Sequence, residues 1–483
     1  MKRLQFLPLR NAFIGSLAAL TVGCTTVGPD YERPYVETGS GWASDASVAA
    51  AEEDFIAWWR DLGDPELVRL VETSLTNNLT VRQSLERVAE ARARRASVRS
   101  DLFPSANAEA SANIQRQSAN ANPAIGNIPG LSRNQEIYDA GVGVAWQIDL
   151  FGQTRRAVEA GDARIDSAVA AANSARLMIA TETARTYLAL GGYHAERRAL
   201  QATLETQEET LRLVRVQLEN GEVARAAEVQ ARSEVARLER EIPPVEAEIR
   251  AAAFALAVLT GELPETEIDL AASDRPQIAL AMIPVGERAD LLRRRPDVAI
   301  AERNLAAETA EIGVAKGELF PKLSILAGGG FTSLALDNLF TEDSSRFSII
   351  PFLSWRIFDG GRVRAEIRLA EAEARRAALA YEEAVIEALS EAETALTRYE
   401  LSLEAQALAK DASSLAAENL RLARIQCHEG ATSLLRVLDA ERAYRDALRA
   451  EAATYRRAAL GLVQLYAALG GGWQDPEPIE ETP

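Results

Sequence analysis

From Gly152 to Gly221 the chain contains no proline, and its pattern predicts one uninterrupted helix. At 1.5 Å per residue that helix is roughly 100 Å long, several times the usual length in a globular domain. The stretch ends Leu213-Val-Arg-Val-Gln-Leu-Glu-Asn-Gly221. The chain reads Leu422-Ala-Arg-Ile-Gln-Cys-His-Glu-Gly430 a constant 209 residues later. Arg215 aligns with Arg424, Gln217 with Gln426 and Gly221 with Gly430, and the same offset relates Trp146 to Trp355 and Gly152 to Gly361. A coiled-coil rod is the plain reading of one such helix. A duplicated one requires the rest of the chain to be placed in two repeats.

The elements around the long helices repeat in the same order. Asp64 followed by Pro65 predicts a helix start, with an acidic N-cap and a proline in the first turn. A helix over about Leu79 to Leu102 stops at Phe103-Pro104, as a later helix opening at Arg295-Pro296-Asp297 stops at Phe320-Pro321. After each stop the period changes to two. Ala106 to Ile114 alternates alanine with Asn107, Glu109, Ser111 and Asn113. Tyr138, Ala140, Val142, Val144, Trp146, Ile148 and Leu150 then share one face, opposite Asp139, Gly141, Gly143 and Gln147. The second repeat supplies Leu323, Ile325, Ala327 and Phe331, then Phe347, Ile349, Leu353, Trp355 and Ile357. Pro351 cannot donate to a ladder, which predicts a bulge or kink there. Likewise Pro243-Pro244 predicts an interruption of the helix that returns from Gly221. In the second long helix Tyr381, Val385, Ala388, Ala392, Ala395 and Tyr399 form a heptad seam. Ile386, Leu389, Leu396 and Leu403 form a second stripe beside it. Two stripes imply neighbours on both sides.

These readings divide the chain into an N-terminal signal segment over 1–23 and an extended segment over 24–64. Repeat 1 covers 65–275, with a β-hairpin at about 104–150 and a helical hairpin at about 152–260. Repeat 2 covers 276–472, with a β-hairpin at about 321–358 and a helical hairpin at about 360–469. An acidic tail covers 473–483.

Strands of about ten residues with one apolar face suit either a transmembrane barrel or half of a β-sandwich. The N-terminus favours the membrane. Lys2, Arg3 and Arg10 precede a short apolar run from Ala12 to Val22, and Val22-Gly23-Cys24 follows. That run is too short to span a bilayer and has signal-peptide anatomy. A small residue before cysteine at its end predicts lipidation of Cys24, which supplies an anchor and not a span. Four strands cannot close a barrel, and open edges in lipid leave unpaired backbone groups at several kcal/mol each. Strands in the membrane therefore require several chains to combine.

Composition removes other classes. The net charge is -18, with only Lys2, Lys316, Lys322 and Lys410 as lysines, which argues against a nucleic-acid surface. Cys24 and Cys427 form no disulfide framework, and His194, Cys427 and His428 lack the spacing of a metal site. No GxSxG, Walker lysine loop, HExxH or helix-opening GxGxxG is present, so the expectation is a chain that is not an enzyme.

Several longer stretches resemble the TolC-like outer-membrane factor family, in particular its NodT-type efflux lipoprotein branch. They are Cys24-Thr-Thr-Val-Gly-Pro-Asp-Tyr-Glu-Arg-Pro34, Trp58-Trp59-Arg60 with Gly63-Asp64-Pro65, and Leu291-Leu-Arg-Arg-Arg-Pro-Asp-Val298. Ala301-Glu302, Ala310-Glu-Ile-Gly-Val-Ala315, Leu319-Phe-Pro321 and Phe358-Asp-Gly-Gly-Arg362 follow in the same order. The resemblance covers nearly all of the chain after Cys24. It implies a mixed α and β membrane protein, in which a homotrimer builds a 12-stranded β-barrel continuous with a long periplasmic α-helical barrel. It further implies a passive exit duct in the cell outer membrane. An inner-membrane pump, coupled through a periplasmic adaptor protein, drives small molecules such as drugs through it. Export of a protein, or a non-conducting lipid-anchored coiled coil, are the alternatives. No cofactor is implied beyond an N-acyl diacylglycerol lipid on Cys24. Position by position, Gly221, Glu222, Val223 and Ala224 match one adaptor-docking tip. Gly430, Ala431, Thr432, Ser433 and Leu434 match the other. The helix that follows matches the periplasmic aperture, where relatives carry two acidic residues three apart. Here Arg436 replaces the first and Asp439 keeps the second, which predicts interchain ion pairs around the pore.

Overall fold

The computed structural model describes residues 26–36, 39, 41–43, 55–118, 120, 133–266, 268–272 and 277–474. Cys24, the signal segment and most of the acidic tail lie outside the described residues. Short helices α1 (Trp58–Asp61) and α2 (Pro65–Asn77) precede α3 (Leu79–Ser100). Strands β1 (Ser105–Arg116) and β2 (Asn134–Ile148) lead into α4 (Gln153–Glu219) and α5 (Arg225–Leu259). After α6 (Ile268–Ala272), the second half gives α7 (Arg288–Arg294), α8 (Pro296–Gly317), β3 (Lys322–Ser333) and β4 (Ser345–Ser354). It ends with α9 (Arg362–His428) and α10 (Leu434–Ala468). Helices α4 and α9 have 67 residues each, or about 100 Å at 1.5 Å per residue. They are proline-free and rich in alanine, glutamate and arginine, which favour helix.

The chain forms two compact units, each drawing on both repeats. The first holds residues 26–34 with Val88–Ser167 and Ala301–Tyr381. Its sheet is antiparallel with order β1-β2-β3-β4, so the two hairpins are joined through β2 and β3. Ala106, Val144, Ala327 and Ile349 lie in one cross-strand row, and Ala108, Val142, Gly329 and Phe347 in the next. The neighbouring rows of the opposite face hold Asn107, Gly143, Gly328 and Ser348, then Glu109, Gly141, Gly330 and Arg346. One face is thus apolar across all four strands and the other mostly small or polar. The helices below pack on small residues: Ala163 against Ala306 and Ala307, and Ile312 against Ala370 and Ala374.

The second unit holds the described parts of Tyr35–Arg87, Ala168–Ile300 and Glu382–Pro483. Asp64 caps α2 by accepting from the amides of Glu66 at 2.9 Å and Leu67 at 3.4 Å. Its other oxygen accepts from the Tyr187 hydroxyl at 2.6 Å, which ties the cap to α4. Trp58 is fully buried and stacks on Tyr466 at 4.8 Å between ring centres. Arg295 donates to Asp297 and Glu391, both at 2.7 Å, and to the carbonyl of Ala468. The predicted heptad seam is buried from Tyr381 to Tyr399. Of the second stripe, Leu396 is buried, Leu389 and Leu403 pack partly on the core, and Ile386 is exposed.

Two proline expectations need correction. Helix α5 runs unbroken through Pro243 and Pro244. Proline costs a helix interior about 3 kcal/mol, but Leu238, Val245 and Ile249 on either side are buried, at about 1.5–3 kcal/mol each. That anchoring on both sides holds the helix together. Strand β4 likewise pairs with β3 in one register across Pro351, opposite Ile325, with no bulge. β4 is paired on one side only within the chain, and a proline there costs at most one ladder bond, flanked by the pairs Ser324–Phe352 and Leu326–Ile350.

Candidate functional site

Among the described residues, Phe340 packs on Phe331 at 5.5 Å between ring centres, and the rest of the sheet's apolar face is largely uncovered. Phe347 is 86 % exposed, Ile349 70 % and Leu353 62 %. Every residue of β4 is exposed, and all of β1 but one. Both outer strands therefore present unpaired backbone groups beside a continuous apolar surface, an arrangement stable only when lipid covers the face and other strands cover the edges. No described helix is long and apolar enough to cross a membrane. On the opposite face Arg346 bridges to Asp139 at 2.6 Å and to the Thr332 hydroxyl at 2.7 Å. The glycines of that face let the strands close: a Cβ on Gly330 would lie 2.3 Å from the Ala140 carbonyl oxygen.

The junction between β2 and α4 carries the N-terminal segment. Gly152 takes φ +79, and a Cβ there would meet Thr26 at 2.6 Å. The Val27 amide donates to the carbonyl of Phe151 at 3.1 Å. Arg156, almost fully buried, donates to the carbonyl of Val27 at 3.0 Å and to Asp30 at 2.6 Å. Tyr31 donates to Glu302 at 3.1 Å, and burial together with that carboxylate pushes the phenol up to about 12. The segment is thereby fixed along α8 and the start of α4. Cys24 lies outside the described residues, two positions before Thr26 in the sequence.

The predicted tips are the turns between the long helices and their returning partners. Gly221 has φ +77 and Gly430 φ +73. The amide of Glu222 donates to Gln217 O and that of Ala431 to Gln426 O, both at 2.8 Å. The Gly221 and Gly430 amides donate to Leu218 O and Cys427 O at 3.0 and 3.1 Å. Each turn is thus a Schellman stop, for which glycine supplies the left-handed residue. Glu222, Ala224, Ala431 and Ser433 are exposed, and Val223 and Thr432 are half-buried. Leu434 opens α10. Arg436 and Asp439 sit one turn into α10, three apart and so on one face. Both are exposed, whereas Val437, Leu438 and Ala440 between and beside them are buried. Among the described residues neither forms an ion pair within the chain.

His194, Cys427 and His428 have separate structural settings. His194 is buried with Nε2 3.2 Å from the Leu270 carbonyl, Cys427 packs beside Leu420 and Val437, and His428 is exposed at the end of α9.

Sequence reasoning missed a chain of ion pairs between α5 and α10. Arg237 binds Glu234 at 2.6 Å and Glu241 at 2.9 Å along α5. Arg445 of α10 pairs with Glu234, and Arg449 with Glu241. The hydrogen bonds from Arg237, opposed by burial and reinforced by Arg445, hold the Glu234 carboxyl at about 2. The only signal in the sequence was spacing: Glu234, Arg237 and Glu241 at helical intervals, and Arg445 and Arg449 four apart.

Known proteins share this architecture. A family model described as outer membrane efflux protein matches residues 70–262 and 288–471. Outer membrane protein OprJ of Pseudomonas aeruginosa is 33 % identical over 473 residues, covering 95 % of each chain. Nodulation protein T of Rhizobium leguminosarum bv. viciae is 30 % identical over 459 residues, covering 95 % of this chain and 93 % of its own. The solved structure of the outer-membrane channel OprN superposes with a TM-score of 0.84 at 34 % identity, over 93 % of this chain and all of that one.

Proposed function

The chain belongs to the outer membrane efflux protein family, and from that premise we propose how its parts serve export. It is the outer-membrane channel component of a tripartite efflux system, working with a periplasmic adaptor and an inner-membrane pump. Its fold is that of the trimeric channels, a β-barrel continued by an α-helical barrel, and its place is the cell outer membrane. The family consists of transport ducts.

The observation that carries the mechanism is the unfinished sheet: an apolar face and two open edges in a four-stranded unit. Three such units supply twelve strands, and β4 of one chain pairing with β1 of the next removes every edge. The face bearing Asp139, Thr332 and Arg346 then lines a wet lumen, and the face bearing Phe347 and Ile349 meets lipid. The chain performs no chemistry on its cargo. It supplies a closed polar path, and the pump supplies the energy.

Three further roles belong to this reading. Cys24 carries the acyl lipid, supported by the way Thr26 and Val27 are pinned beside Gly152 at the end of a membrane strand. The turns at 221–224 and 430–434 meet the adaptor, supported by their identical stops and their exposed side chains. Arg436 and Asp439 form ion pairs between neighbouring chains that narrow the periplasmic mouth, supported by their exposure and their lack of partners at home. The cargo is small molecules rather than folded protein. Purified protein in a planar bilayer tests the duct: discrete conductance steps from a species of trimer mass are expected. A monomer, or a trimer without conductance, overturns it. Deleting the gene and profiling sensitivity to drugs, metals and detergents identifies the cargo.

A further inference from the structure

A small, partly open cavity of about 10 Å³ lies where α4, α5 and α10 meet. Its wall includes Gln207 of α4, Glu234 of α5, and Glu441 and Arg445 of α10. That volume is about one water position. Gln207 is 5 % exposed and Glu441 8 % exposed, and each keeps one polar atom buried with no hydrogen-bond partner: Gln207 Nε2 and Glu441 Oε2. Buried polar groups in folded chains are nearly always satisfied, so two orphans on one water-sized cavity require an occupant. Other groups of the wall are paired. Glu441 Oε1 accepts from Arg424 at 3.0 Å and from the Thr210 hydroxyl at 3.4 Å, and Arg445 pairs with Glu234.

We infer that this cavity binds one ordered water molecule, which accepts a hydrogen bond from Gln207 Nε2 and donates one to Glu441 Oε2. One unsatisfied donor and one unsatisfied acceptor match a water and nothing simpler. A bare cation would find a donor on the wall, and Arg445 and Arg424 already pair with Glu234 and Glu441. The water joins the first repeat's long helix to the second repeat's returning helix, between the apolar cluster around Val214 and Val235 and the one around Ala423 and Val437. The site is single in each chain, because the 209-residue offset puts Ala416 at the counterpart of Gln207 and Arg232 at that of Glu441.

The test is a structure of the assembled protein at a resolution that shows ordered water in its other polar cavities. One peak is expected within roughly 2.7–3.2 Å of both Gln207 Nε2 and Glu441 Oε2. In Gln207→Leu the peak is expected to vanish while Glu234 and Arg445 stay paired. An empty cavity in the native chain overturns the inference. So does a peak that persists in Gln207→Leu, or an anomalous signal at the site from crystals soaked in thallium, which would mark a monovalent cation. If Gln207→Leu does not assemble, the native map and the thallium soak decide the matter alone.

Discussion

Replacing Glu234 by glutamine tests whether the α5–α10 ion pairs hold the helices together. The carboxyl stands at about 2 against an ordinary value of 4.5. At about 1.4 kcal/mol per unit, that depression is worth at most roughly 3 kcal/mol. Glu234 is 14 % exposed, but its first partner Arg237 is 32 % exposed, so solvent screens the pair and about 1–2 kcal/mol remains. The loss also leaves the Arg445 guanidinium, 9 % exposed, with only the solvent-facing Asp446 as a carboxylate partner. The readout is amide hydrogen exchange of the trimer in nanodiscs, over peptides covering residues 225–240 and 438–450. Glu234→Gln should speed exchange there by about 5- to 30-fold at pH 7, since 1.4 kcal/mol is tenfold. The sign with pH is fixed. A depressed carboxyl stabilises fully above its ordinary value and loses that contribution as pH falls toward the folded one. The gap between native and variant should therefore be the same at pH 7 and pH 5.5, narrow below 4.5 and close near 2. Glu182→Gln, which removes an exposed pair with Arg185, is the control and should change exchange less than threefold. A change below twofold for Glu234→Gln would refute the reasoning.

Gly330→Val should abolish the heat-resistant trimer on a denaturing gel, because its Cβ falls on the Ala140 carbonyl, whereas Gly329→Ala, whose Cβ would make an ordinary contact at 3.7 Å with the Arg346 carbonyl oxygen, should keep it. Arg436→Ala should raise single-channel conductance by removing the interchain pair with Asp439, and an unchanged conductance would show that the pair does not narrow the mouth. Cys24→Ala should eliminate incorporation of labelled palmitate while leaving the trimer's conductance intact.

How far the sequence could be read depended on the kind of interaction. The long helices, their glycine stops and the alternating strands were legible because each is set by local periodicity and by single residues: no proline from Gly152 to Gly221, left-handed glycines at Gly221 and Gly430, and an apolar residue at every second strand position. Pro351 and Pro243-Pro244 misled because proline rules are local while the outcome was tertiary. Flanking ladder pairs hold the first in register, and flanking buried residues restrain the second. Arg156 could not be read as the residue that clasps Val27 and Asp30, because its partners are far away in the sequence. The pairing of Glu234 with Arg445, and the cavity beside Gln207, were illegible for the same reason: charges on a helix are usually solvated, and only the fold decides which are not.

The duplication gives that distinction a physical meaning. Residues that keep the 209-residue offset sit where both halves face the same demand: Trp146 and Trp355, whose Nε1 atoms donate to the carbonyls of Leu102 and Leu319, and Gly221 and Gly430 at the turns. Several residues that break it lie on α10. Glu441 and Arg445 correspond to Arg232 and Ala236, and Arg436 to Ala227, so the first repeat's returning helix lacks the matching charge at each of these positions. A tube of identical staves would need no such difference. Helix α5 is anchored by the apolar run through Leu238, Val245 and Ile249, whereas α10 beside Arg436 combines the buried Val437, Leu438 and Ala440 with ion pairs to α5 and a polar cavity. The element bearing Arg436 and Asp439 is therefore held partly by contacts that water can replace and partly by apolar ones that it cannot.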